Sequence, residues 1–163
     1  MLIRLSKIML VLCVASFALL VGYNNLVDYQ SNFQFVQHVL TMDTTFPGNT
    51  LKSRAIADPA WHHAAYALII ATEFLTGILC LIGACKLGLN LRSNPASFNR
   101  AKGYAILGLT LGFMLWFAGF MTIGAEWFLM WQSEIWNGQE SAFRFVVCLG
   151  VVLLFVAQED KPH

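Results

Sequence analysis

Between Pro59 and Lys86 the chain runs apolar for the thickness of a bilayer, and one acid, Glu73, interrupts the run near its middle. A membrane-spanning helix needs about 20 consecutive apolar residues, so this stretch is long enough to cross. Asp58-Pro59 ahead of it reads as an N-cap followed by proline at the first helical position. A carboxyl group at that depth is costly in hydrocarbon, so it has to face other protein, water or a ligand. Any fold of this chain must provide for it. On a helix, His63, Tyr66, Ile70, Glu73, Gly77, Cys80 and Ala84 share one stripe. That stripe is more polar than the rest of the helix and is expected to face the interior of a bundle.

Three further stretches have the same character. Ile8 to Val27 and Gly103 to Ala125 carry no charge. Phe145 to Gln158 is too short to span alone and reaches sufficient length only with Ser141 to Arg144, which puts Arg144 just inside the membrane edge. Ile8 to Val27 reads as a transmembrane helix rather than a signal peptide. Its apolar run exceeds the roughly 7–15 residues of a signal sequence, and it lacks a clear small-x-small cleavage site. The expected fold is all-α: a polytopic membrane protein, a four-transmembrane-helix bundle forming one membrane domain over 1–163, with helices at about 5–27, 59–86, 101–126 and 140–158. In the first outer loop, 28–58, Phe33, Val36, Val39 and Leu40 recur near helical spacing between Gln34, Gln37 and His38, which predicts a short interfacial helix. A second outer loop, 127–139, and a cytoplasmic loop, 87–100, complete the chain.

Composition agrees: 12% of residues are charged, against about 25% in soluble domains. The formal net charge of +1 includes no basic block, so nucleic acid is not an expected partner. Arg4, Lys7, Lys86, Arg92, Arg100, Lys102 and Lys161 fall on the side of both termini, and Lys52, Arg54 and Arg144 on the other. Cationic loops stay cytoplasmic, so both termini are expected inside. Trp127, Trp131 and Trp136 lie where an aromatic belt belongs. Cys13, Cys80, Cys85 and Cys148 all lie in apolar runs and imply no disulfide framework. Gly108, Gly112 and Gly119 form a small-residue seam on the third helix, where a neighbouring backbone can approach.

Four groups of residues are candidates for chemistry. Glu73 either is protonated and donates a hydrogen bond across helices, to Ser16, Thr72 or Tyr66, or serves a ligand, proton or cation. A contact to a partner subunit's helix is a third reading. Glu126 and Arg144 lie near the outer ends of their helices at similar depth, and an ion pair between them is the economical expectation. His38 and Met42 share a helical face and, with His62 or His63 and nearby Asp43, have the residue types of a soft metal site, although no metal-binding spacing is present. A haem would need axial ligands at matching depth, and none of His38, His62, His63 and His163 is mid-membrane. No cofactor motif and no nucleophile–base pair is evident, which makes an enzyme the weaker class.

The loop sequences NNLVDYQSNFQFVQHVLTMDTTFPGN, RAI at 54–56 and EWFLMWQSEIWNGQ resemble the bacterial family of predicted small integral membrane proteins, domain of unknown function 2165. The resemblance extends over nearly the whole chain. It implies a four-helix protein of a bacterial inner membrane and carries with it no activity, substrate, cofactor or residue role. Two functions follow from the residues. One is a non-catalytic accessory or interaction subunit of a larger membrane complex, its partners being the lipid bilayer and a membrane protein or a second copy of the chain. The other is a binder or transporter of a small ligand (lipid, quinone, proton or metal ion) built on Glu73, Tyr66, Arg144 and Glu126.

Overall fold

The computed structural model describes residues 1–161, so His163 lies outside the described residues. The described chain is helical throughout, with no strands. Helix α1 (Leu2–Val27) enters from the N-terminus. It breaks at Asp28, whose carboxylate accepts from Ser31 Oγ at 2.7 Å, and α2 (Tyr29–Thr41) follows at once. Helix α2 buries Phe33, Val36, Val39 and Leu40. It ends on Met42, a buried non-glycine residue in the left-handed region (φ 51°). Helix α3 (Pro59–Leu89) begins as its sequence signals, with Asp58 Oδ1 accepting from Ala60 N at 2.9 Å and Pro59 in the first turn. Helix α4 (Pro95–Ala101) uses the same device: Asn94 Oδ1 accepts from Ser97 N at 2.9 Å. Helix α5 (Gly103–Met114) continues into a π-helical segment, Leu115–Trp127, and α6 (Gln139–Ala157) closes the chain.

Four helical spans are long and apolar enough to cross a membrane: Leu2–Val27, Pro59–Leu89, Pro95–Trp127 and Gln139–Ala157. Helix α3 is the centre, with α1 on one side and α5 on the other. Small residues set both registers. Gly77 of α3 sits under Leu19 of α1, and Gly22 of α1 under Phe74, so the two helices run antiparallel. Between α3 and α5, Gly83 faces the backbone of Ala105 and Gly108 faces that of Cys80. A Cβ at Gly108 would lie 2.8 Å from Cys80 N. Gly112 faces Thr76 and Leu149, which ties α6 into the same seam. In a bilayer the hydrophobic effect does not drive helices together, and close backbone approach of this kind supplies van der Waals packing in its place.

The interior of α3 is His62, Tyr66, Ile70, Glu73, Thr76, Gly77, Cys80, Gly83, Ala84 and Leu87. The expected polar stripe is therefore present but starts from His62, while His63 is exposed at its edge. The two histidines flank the stripe: at about 100° per residue His62 lies about 40° from Tyr66 on one side and His63 about 60° on the other, so the nearer one is buried.

At the end that bears the termini, Asp160 lies among cations. Its Oδ2 accepts from Lys7 Nζ at 2.7 Å and Lys102 Nζ at 2.6 Å, and Arg4 Nε stands 3.7 Å from Oδ1. Both ammonium groups also donate to Gln158 O, at 2.7 and 2.6 Å. Burial alone would raise the Asp160 carboxyl, but the hydrogen bonds from Lys102 and Lys7 outweigh it and hold the group below the usual aspartate range.

Candidate functional site

Glu73 is 3% exposed and points toward the end of α1. Its two carboxyl oxygens accept from one amide, Asn25 Nδ2, at 3.1 and 2.8 Å. The Asn25 Oδ1 in turn accepts from Asn32 Nδ2 of α2, at 2.7 Å. Tyr66 OH donates to the carbonyl of Asn25 at 3.2 Å, one turn before that helix breaks. Three helices thus meet on Asn25, and the chain Asn32–Asn25–Glu73 aims donors at the acid. The partners expected from sequence are elsewhere: Thr72 donates to its own helix at Leu68 O (2.7 Å), and Ser16 is exposed.

Above this acid is a cavity of about 430 Å³ between α1, α2, α3, the π-helical segment and α6. Its floor is Glu73 with Asn25 and Asn32, and its walls include Phe17, Phe35, Tyr66, Trp116, Phe120, Trp136 and Phe145. Four of these rings touch in series. Phe17–Phe145, Trp116–Phe145 and Trp116–Phe120 have centroids 5.0, 4.4 and 4.6 Å apart. The wider turn of the π-helical segment carries Trp116 and Phe120; such segments recur at functional sites. A second, apolar cavity of about 350 Å³ opens between α2, α3 and the π-helical segment, and shares Phe35, Val36, Ile69 and Phe120 with the first. Below Glu73, a pocket of about 20 Å³ is bounded by Thr76, Gly112 and Trp116. The Thr76 hydroxyl is buried there without a partner among the described residues.

The remaining sequence candidates are dispersed. Arg144 does not pair with Glu126. The acid near it is Glu140, 3.6 Å away and one helical turn back, with both side chains largely exposed. Such an exposed pair contributes little. Glu126 is exposed, and its neighbour Trp127 holds Arg54 through its carbonyl (3.2 Å) and its ring (4.4 Å). His38, Met42, His62 and His63 each have separate partners, and Met42 lies beyond the end of α2 in the left-handed region, which breaks the helical spacing expected between it and His38. His38 bonds Asp43 (2.7 Å) and lies flat on Trp136. Met42 is buried in the apolar cluster beside Phe128 and Met130. His62 bonds Ile56 O through Nε2 (2.7 Å), with Nδ1 buried and unpartnered among the described residues. His63 stacks on Phe33 (4.2 Å) and shares a hydrogen bond with Tyr29 OH at Nδ1 (2.8 Å), a phenol whose pKa burial pushes up. Among the described residues, no three His, Cys, Asp or Glu side chains gather as a metal site would require.

Asn25 and Asn32 were not among the residues marked by sequence. A polar residue just inside the end of an apolar run was the available signal, but it reads equally as the start of a loop.

Compared with known families, residues 3–159 match the one described as "Predicted small integral membrane protein (DUF2165)". No curated protein and no solved structure matches the chain.

Proposed function

The chain belongs to the family of predicted small integral membrane proteins, domain of unknown function 2165, and from that premise we propose that it binds a small amphipathic molecule in the cavity above Glu73. The observation that carries this reading is the cavity's division: an acid and two amides at the floor, aromatic rings on the walls, and an apolar annex beside it. A molecule with a polar head and an apolar body matches that division. Ligand sites commonly combine apolar walls with a few convergent polar groups. Tyr66 acts here as a brace for Asn25, and Arg144 and Glu126 take no part. The accessory-subunit reading drew on the glycine seam, and Gly108 and Gly112 are occupied by α3 and α6 of the same chain.

We propose a membrane setting as well. The protein lies in a bacterial inner membrane with both termini cytoplasmic, α2 rests in the interface, and loops 28–58 and 127–139 are outside. The cation count at the two ends supports this orientation. A cysteine at Asn49 should then react with an impermeant maleimide in intact cells and one at Ser97 only after permeabilisation; the reverse pattern would invert the orientation.

Ligand binding is tested by gentle detergent extraction and native mass spectrometry. Wild type should carry a non-protein mass that Ser141→Trp, which fills the cavity mouth, loses without loss of folding. Equal retention by both proteins would refute a site in this cavity.

A further inference from the structure

We propose that the head of this ligand is an organic cation, a protonated amine carried on an apolar body; the inference rests on the ligand-binding reading and gives it a chemical class. Three observations converge. First, among the described residues lining the cavity, Glu73 is the one Asp, Glu, Lys or Arg side chain. The cations at that end are not among those lining residues: Arg54 lies on Trp127 and Arg144 lies beside Glu140. A ligand anion would meet the carboxyl with no cation to balance it, while a ligand cation supplies the missing charge.

Second, the carboxyl is presented as an acceptor. Both its oxygens accept from Asn25, whose amide orientation is fixed by the bond from Asn32. A carboxylate has about four lone-pair sites, so roughly two stay free for a donor from the cavity. The same cavity is lined by the rings of Trp116, Phe120 and Phe145, and aromatic faces attract cations. An acid and aromatic rings lining one cavity both suit an ammonium group.

Third, the charge of the whole chain leads to the cavity mouth. The α2 end carries Asp28, Asp43, Asp58, Glu126, Glu134 and Glu140 against Lys52, Arg54 and Arg144. The terminus-bearing end carries seven cations against Glu159 and Asp160. A cation is therefore drawn to the end where the cavity opens and repelled from the other.

The test uses three probes of one shape on the full chain in lipid nanodiscs: 4-phenylbutylamine, 4-phenylbutan-1-ol and 4-phenylbutanoate, with affinities from calorimetry at pH 7. The amine should bind roughly tenfold or more tighter than the alcohol, the carboxylate weakest, and Glu73→Gln should bring amine and alcohol to within about twofold. Glutamine keeps the size and an acceptor for Asn25, so folding is retained. Equal binding of amine and alcohol to wild type, or tightest binding of the carboxylate, would overturn the cation assignment and leave an amphiphile site standing. Failure of Ser141→Trp to block any of the three would overturn both.

Discussion

Asn25 organises the candidate site, because it holds Glu73 with its amide and is itself held by Asn32 and Tyr66. Glu73 was legible in the sequence, since an acid in an apolar run must face protein, water or a ligand. Its partner was not. Counting equal depths from the helix ends leads from Glu73 into the middle of α1, near Ser16. The count fails because α1 stops short: the first turns of α3 lie beside α2 instead, where Tyr29 meets Tyr66 edge-on and Phe33 stacks on His63. Asn25, two residues from the end of α1, is thereby brought level with an acid fourteen residues into α3. Removing it leaves a buried acceptor without a donor. Asn25→Ala should destabilise the protein by about 1–2 kcal/mol, and Glu73→Gln should change stability little, both read from unfolding in mixed micelles. An unchanged Asn25→Ala midpoint would show that the amide is dispensable.

At the scale of the helices, hydropathy was enough to find the spans and spacing enough to find the buried stripe of α3. Register was beyond both, since it depends on which small residue meets which backbone. Glycine spacing suggested a face for close approach through Gly108, Gly112 and Gly119; Gly108 and Gly112 are covered by α3 and α6, and Gly119 is open. The π-helical segment also lay beyond reach, because its residues read as ordinary apolar helix. Close approach is testable by contrast. Gly108→Ala would push a methyl to 2.8 Å from Cys80 and should cost about 1–3 kcal/mol. At Gly119 the nearest atom to an added methyl is Leu115 Cδ1 at 3.8 Å, so Gly119→Ala should be neutral or slightly stabilising. Equal effects of the two in thermal unfolding would argue against the α3–α5 register.

For the molecule as a whole, charge is divided by end, with acids collected where α2 and the cavity lie and cations where the termini lie. The cations were readable as an orientation signal; the role of Asp160 among them was not, because a short polar tail has no periodicity to place it. Asp160 gathers Arg4, Lys7 and Lys102, and so joins the C-terminal tail to α1 and the start of α5. Its carboxyl is held below the unfolded value, so its stabilisation is fully present above about pH 4 and is lost as pH falls through the folded value. Asp160→Asn should lower stability by about 2 kcal/mol near neutrality and flatten the acid limb of a stability–pH curve. Parallel acid limbs in the two proteins would remove Asp160 from that role. The most direct measurement for the whole account is modification of Glu73 in membranes by a hydrophobic carbodiimide, read by peptide mass spectrometry. An adduct on Glu73 is expected, suppressed both by Ser141→Trp and by 4-phenylbutylamine. Reaction confined to exposed acids such as Glu126 and Glu134, or equal labelling of Glu73 in the Ser141→Trp protein, would contradict a ligand site at Glu73.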